Sequence, residues 1–268
     1  TGTGKGTFRD RKPLNSRLPT TPRSTRVSFA ALMQRFADGH TLQLAQDFDR
    51  VAERYDLLQR FNPGYRSDLA LSARRLGAPA HGCILDVCCG TGLSTEALRE
   101  CYPDAQITAV DISTGMLATA RRKPSLRDVR FIAGDAMELD KCGADGPYDG
   151  MLMAYGIRNV MDADACLTRL RARLKPGARA VFHEYSVAGS LRSRAIWNAI
   201  AAGVIVPLGT VLTGSGELFR YLRRSVNEFD SLPKFEQRLK QAGFEDVRLE
   251  SMPGWRRGIV HSVIAHVA

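Results

Sequence analysis

Between residues 83 and 185, short apolar runs alternate with segments whose apolar residues recur at helical spacing, and this alternation restricts the fold more than any other feature. The runs Cys83–Cys88, Gln106–Asp111, Val129–Ala133, Tyr148–Ala154 and Ala178–Tyr185 lack the regular polar interruptions of a half-exposed strand. They predict strands covered on both faces. Gly92–Cys101, Gly115–Arg122 and Asp162–Leu174 read as the intervening helices, the last stopped at Lys175-Pro176-Gly177. Strands joined through helices predict a parallel, doubly wound α/β sheet with helices on both faces. The ending differs. A helix over Leu232–Ala242, closed by Gly243, precedes strands Glu245–Glu250 and Ile259–Val267 with no helical crossover between them. That spacing predicts an antiparallel hairpin at the sheet edge, for seven strands in all.

Ahead of this region, residues 28–59 carry a helical stripe of Phe48, Val51, Ala52, Tyr55 and Leu58. A break at Phe61-Asn62-Pro63-Gly64 precedes a helix over Leu69–Leu76, closed by Gly77. Residues 1–36 hold eight basic residues against Asp10, so this segment supplies +7 of the chain's net +10. It reads as a low-complexity basic tail, and residues 37–268 as one domain with a lid-like apolar insertion near 191–222. Such a tail suits a solvated extension, an anionic surface or an organelle address. The six cysteines form no CxxC pair, and no histidines stand at ligand spacing, so reduced thiols and no metal are expected. Ala195–Leu212 is very apolar but holds Asn198, Gly203 and Pro207, a poor spanning helix. The location read from this is cytoplasmic, with contact at a membrane surface or import through the tail left open.

The chemistry begins at Asp86-Val87-Cys88-Cys89-Gly90-Thr91-Gly92, a strand entering a glycine turn before a helix. Glycines there let backbone approach a ligand, and the helix start offers free N–H groups. The turn is neither GxGxxG nor a phosphate-binding loop. Asp111 ends the next strand about 20 residues on, where an acid can bind a ribose diol; helix capping is its ordinary alternative, and Ser113 could fill that role. Asp135, in Gly134-Asp135-Ala136 after the third strand, could accept from an adenine amino group or simply close a turn.

Together with the Leu174-Lys175-Pro176-Gly177 turn, these features resemble the class I S-adenosylmethionine (SAM)-dependent methyltransferases, with their Rossmann-like seven-stranded sheet. A dinucleotide dehydrogenase is the rival on the same pattern, and the end hairpin favours the methyltransferase. Ala154-Tyr155-Gly156-Ile157-Arg158-Asn159-Val160 is similar to a signature of the ubiquinone/menaquinone biosynthesis C-methyltransferase family. Arg54-Tyr55-Asp56 and Glu184-Tyr185-Ser186 resemble two more of its motifs. Leu93 departs from the family, which usually has Asp there, and His183 stands where an apolar residue is expected. The resemblance implies SAM as cofactor, held by Asp86, Cys88, Gly90, Thr91, Gly92, Asp111, Ile112, Met116, Asp135, Ala136 and Tyr155.

For the chemistry, the resemblance implies Arg158 stabilising a phenolate and holding a water, with Asn159 positioning the water or SAM. Without it, Arg158 reads as a surface arginine pairing with an acid such as Asp162. His183 and Glu184 end a strand with side chains on opposite faces, so one of them is expected to meet the pocket. Glu184 matches the family's acid, whereas His183 has the pKa of a base. Tyr55 either closes over SAM or packs in the core. The implied substrate is a prenylated quinol, with the apolar insertion as a wall for its tail, as an ordinary buried helix pair or as a homodimer interface. The rivals are methylation of a soluble aromatic metabolite at O, N or C and, ranked lower, a non-enzymatic membrane- or nucleic-acid-binding protein. Specific nucleic-acid recognition is not expected, because the body shows no basic aromatic face.

Overall fold

Each apolar run forms a strand because its alternate residues are claimed by two separate cores. In a computed structural model, which describes residues 1–4, 29–214 and 216–268, the strands are β1 (Cys83–Val87), β2 (Gln106–Asp111), β3 (Arg130–Ala133), β4 (Tyr148–Ala154), β5 (Leu174–Tyr185), β6 (Phe244–Ser251) and β7 (Val260–Val267). Ile84, Leu152, Val181 and Ile264 point to one core. Their neighbours Leu85, Met151, Met153, Phe182 and Val263 point to the other. The first core is closed by α2 (Tyr65–Leu76), α3 (Leu93–Cys101) and α4 (Thr114–Arg121). The second is closed by α5 (Ala163–Arg171) and, later in the chain, by Phe235 and Leu239 of the helix Leu232–Gln241.

The strands lie in the order β3-β2-β1-β4-β5-β7-β6. β1 to β5 are parallel, and β7 runs antiparallel to both β5 and β6. The hairpin is therefore at the edge as expected, but its antiparallel member, β7, is the penultimate strand and β6 is outermost. The order reverses between β1 and β4. Open α/β sheets bind ligands in the crevice at such a reversal, outside the carboxyl ends of the strands.

Local chemistry sets the helix limits. Ser113 and Asp162 accept from the backbone N–H groups of Met116 and Ala165 and so cap α4 and α5. α2 starts four residues before the expected Leu69, directly after Gly64 in left-handed conformation. β5 starts at Leu174 rather than Ala178, because a bulge between Tyr148 and Gly150 lets Leu174 pair with Tyr148. The Leu-Lys-Pro-Gly turn is thus already in the sheet.

At the N-terminal side, α1 (Phe29–Arg60) starts inside the 1–36 segment that charge alone assigned to the tail. Most of that basic segment lies outside the described residues. The apolar insertion is helical almost throughout: α6 (Leu191–Ile200), a π turn over Ala201–Ile205, α7 (Val206–Thr213) and α8 (Glu217–Glu228). Pro207 is accommodated in the first turn of α7. The last helix, Leu232–Gln241, is α9. Among the described residues no cluster of three or more metal-ligating side chains occurs, and all six cysteines are free thiols.

Candidate active site

At the carboxyl ends of β1, β2 and β4 the sheet opens into a cavity of about 760 Å³. Its floor is the turn after β1. Cys88 and Gly90 take positive φ of 57° and 55°, and an added Cβ on Gly90 would meet nothing within 4 Å, so the turn leaves open space above bare backbone. Asp111, at the end of β2, ties the turn together. It accepts from the Gly90 N–H at 2.7 Å and from the Ser113 N–H at 2.9 Å. Burial raises its pKa, and these backbone donors work against that shift. Asp111 itself lines the cavity. Asp135 accepts from the Met137 N–H at 2.8 Å through one oxygen only.

Of the residues expected to hold a cofactor, Cys88, Gly90, Thr91, Asp111, Ile112, Met116, Asp135, Ala136 and Tyr155 line this cavity. Asp86 and Gly92 do not. Asp86 lies fully buried beneath the turn, where Ser94 and Thr95 donate to it at 2.8 and 2.6 Å. Gly92 starts α3 in left-handed conformation, and a Cβ there would come within 2.8 Å of Leu126. Both shape the turn from behind. The cavity fits SAM on its own chemistry: an acid ends β2 for a ribose and another just follows β3 for an adenine, and its volume falls within the roughly 300–1,000 Å³ of small-molecule sites.

Burial pushes Asp86 up to about 7, since its hydroxyl donors recover only part of the lost hydration. A carboxyl raised in the folded state contributes stability that is full below its unfolded pKa and lost as pH rises through about 7. Asp86→Asn is thus expected to flatten the pH dependence. In thermal melts without SAM, the wild type should gain on the variant as pH falls from 7 toward 4. Parallel curves would contradict this assignment.

Arg158, Asn159 and Tyr55 also line the cavity, whereas His183 and Glu184 line neither this one nor its neighbour. The expectation that one of the pair meets the pocket is corrected here. They do diverge to opposite faces, but each is covered by a side chain from the segment after β4. Glu184 forms an ion pair with Arg158, the two side chains being 3% and 6% exposed. Burial raises the Glu184 pKa and Arg158 offsets part of it, while the carboxylate holds the guanidinium charged against burial. Arg158 is therefore not the surface arginine that pairs with Asp162. His183 bonds the Tyr155 hydroxyl at 2.8 Å, and burial, followed by the charges of Arg75, His261 and Arg256, lowers it to about 3. Lining neither cavity, it is not placed to act as the base its ordinary pKa suggested.

Tyr155 itself takes a positive φ of 56°, a costly conformation for a residue with a side chain. Its N–H bonds the His183 carbonyl at 2.7 Å, which holds the turn in place. Gly156 follows because a Cβ there would lie 2.8 Å from Cys88. A second cavity, of about 330 Å³, shares Phe48, Tyr55, Tyr65, Tyr155, Arg158 and Asn159 with the first. From there it runs along Tyr185, Trp197, Ile200, Leu208 and Phe219 to Phe61, Val204 and Trp255.

Sequence reading missed several residues that organise the site. Asp49 of α1 accepts from Ser113 Oγ at 2.5 Å and from the Gly115 N–H at 2.8 Å. Asp56 accepts from Thr91 Oγ1 at 2.5 Å and pairs with Lys123 at 2.7 Å. Together they clamp α1 over the cavity. Asp56 sits in the noted Arg54-Tyr55-Asp56 motif, so a signal existed there; Asp49 carried none.

A reversal in a mostly parallel sheet, a bare glycine turn, an acid ending β2 and another just after β3 define a Rossmann-like SAM-dependent methyltransferase. The chain belongs to the ubiE/COQ5 methyltransferase family, whose model matches residues 38–265. It is 31% identical to the ubiquinone/menaquinone biosynthesis C-methyltransferase UbiE of Bradyrhizobium diazoefficiens, over 77% of this chain and 85% of that one. It is 33% identical to the demethylmenaquinone methyltransferase of Thermus thermophilus, over 76% of this chain and 93% of that one. Its fold is shared by a SAM-dependent methyltransferase from Thermotoga maritima, with a TM-score of 0.59 at 18% identity over 84% of this chain and all of that one. Phosphoethanolamine N-methyltransferase 2 of Haemonchus contortus, solved with SAM, matches with a TM-score of 0.51 at 23% identity over 70% of this chain and 39% of that one.

Proposed function

We propose that this enzyme methylates a ring carbon of a prenylated benzoquinol or naphthoquinol in quinone biosynthesis, working in the cytoplasm at a membrane surface. The observation that carries this is the apolar second cavity, which joins the cofactor cavity at Arg158 and Asn159 and ends beside an exposed apolar helix. The quinone-pathway names of the relatives support the same substrate. Bound SAM supplies an electrophilic methyl group. Asp111 would hold its ribose and Asp135 its adenine.

The charged Arg158 lies where the cavities meet and stabilises negative charge growing on the phenolic oxygen of the ring. That charge makes the neighbouring carbon nucleophilic. The carbon would take the methyl as the sulfur–methyl bond breaks and S-adenosylhomocysteine leaves, and its ring proton would pass to a water held against Arg158, restoring the aromatic ring. Asn159 cannot swing, because its amide donates to the Tyr155 carbonyl at 3.1 Å and accepts from Tyr221 at 3.1 Å. Tyr55 walls the ring and helps exclude solvent. The insertion near 191–222 acts as the lid over the tail.

The most apolar 18-residue window of helix 191–213 has a mean hydropathy of 1.9, yet Leu191, Val204 and Val211 are 86%, 52% and 79% exposed. Arg192 and Arg194 at its start, and Arg220 and Arg223 of the next helix, α8, are exposed. Apolar contact ringed by cations suits an anionic bilayer surface. The test is co-sedimentation with phosphatidylglycerol vesicles. Leu191→Glu combined with Val211→Glu, outside both cavities, should abolish sedimentation while turnover of a short-tailed soluble quinol persists. Retained sedimentation, or a dimer that the double variant splits, would overturn the membrane reading.

A further inference from the structure

Behind the active site a line of hydrogen bonds runs between α2 and the face of the sheet that it covers. Arg75 Nη1 donates to Ser262 Oγ at 2.9 Å, Ser262 and Ser72 hydroxyls meet at 2.7 Å, and Ser72 Oγ meets His183 Nδ1 at 2.7 Å. His183 Nε2 then meets the Tyr155 hydroxyl at 2.8 Å. Ser72, Ser262 and His183 are fully buried. Glu250 anchors the far end by pairing with Arg75 Nε at 2.6 Å.

Elementary donor chemistry fixes the direction of this line. A guanidinium only donates, so Ser262 Oγ is an acceptor from Arg75. If Ser72 also donated to it, the buried Ser262 proton would have no acceptor among the described residues. Ser262 therefore donates to Ser72, and Ser72 donates to His183 Nδ1. A neutral imidazole that accepts on Nδ1 carries its proton on Nε2, and burial keeps His183 neutral. Nε2–H then donates to the Tyr155 oxygen. With that side occupied, Tyr155 turns its own proton outward. That proton is turned toward Tyr185, whose ring lies 4.9 Å away and whose pKa a bond from Tyr155 lowers against the larger effect of burial. The Tyr185 proton is left for the second cavity, which that residue lines.

We propose that Arg75, Ser262, Ser72 and His183 are positioning residues that orient Tyr155, and that Tyr185 is thereby set as the hydrogen-bond donor to the phenolic oxygen of the aromatic acceptor, beside the guanidinium of Arg158, which lies 5.6 Å from the centre of the Tyr185 ring. The proposal rests on the substrate reading above and deepens it. The donor direction comes from an arginine and two serines on the same α2-covered face of the sheet as His183 and Tyr155, and no proton is consumed. It also explains His183 at a position where an apolar residue was expected: an apolar side chain would leave the Tyr155 hydroxyl unoriented and the Ser72 proton without its acceptor.

Two measurements test it. Nitrogen-15 NMR of the labelled full-length chain, with His183 assigned by comparison with His183→Gln, reads the tautomer without any substrate. A protonated Nε2 and a bare Nδ1 are expected, and Ser72→Ala should lose this bias; a protonated Nδ1 in the wild type would overturn the direction of the chain. In turnover, Tyr185→Phe should lower kcat about a hundredfold and Ser72→Ala roughly tenfold, both with SAM affinity unchanged. Wild-type kcat in both variants would overturn the assigned role. A wild-type enzyme inert toward every quinol would count against the substrate reading, and the tautomer would still decide the chain.

Discussion

Alanine at Asp111 is expected to remove SAM binding at ordinary cofactor concentrations. The carboxylate sits at the end of β2 with two oxygens already accepting from Gly90 and Ser113, so its position is fixed before any ligand arrives. A ribose diol donating to its free lone pairs makes charge-assisted bonds, each worth about 1.5–3 kcal/mol. Alanine forfeits both and leaves the Gly90 N–H at 2.7 Å without its acceptor, so the turn itself loosens. The combined loss, about 3 kcal/mol or more, is a rise in Kd of roughly a hundredfold or greater. Calorimetric titration measures it directly. An unchanged Kd would mean that the ribose lies elsewhere.

The second large effect concerns the buried pair. Glu184→Ala strands the Arg158 guanidinium inside the protein, with the Tyr155 carbonyl at 3.1 Å as its remaining strong acceptor. Removing one partner of a buried ion pair costs about 3–5 kcal/mol, a large part of a domain's stability. Denaturant unfolding with SAM absent should show that drop. Replacing both members, with Glu184→Met and Arg158→Met, should recover much of the stability, because no unpaired charge remains. It should recover no activity. A folded, stable double variant that does not turn over would separate the role of Arg158 in the reaction from its role in folding; a stable Glu184→Ala single variant would contradict the buried pair.

The central strands were legible because a strand covered on both faces is written as an unbroken apolar run. Gln106–Asp111 and Tyr148–Ala154 emerge with their bounds unchanged. The glycine turn and the acids after β2 and β3 were legible for a related reason, since the crevice needs them at fixed places along the chain. Helices α6 to α8 were not. Ala195–Leu212 is apolar on nearly every side, so no single face announces what it packs against, and the exposure of Val204 and Val211 emerges only in three dimensions. The fates of His183 and Glu184 were hidden for another reason. Strand alternation separates the two, but which one meets the pocket depends on Tyr155 and Arg158, which fold back over them from the neighbouring strand's end. Asp49 acts on Ser113 and Gly115 from 64 and 66 residues away, and nothing local marks such a contact.

The most direct test of the account is turnover with carbon-13 methyl SAM and a demethylated, prenylated quinol, with the product read by NMR. The account predicts the label on a ring carbon, in a product whose ring has lost one hydrogen. Label on an oxygen or nitrogen, or no labelled quinol while a soluble aromatic is methylated, would contradict it.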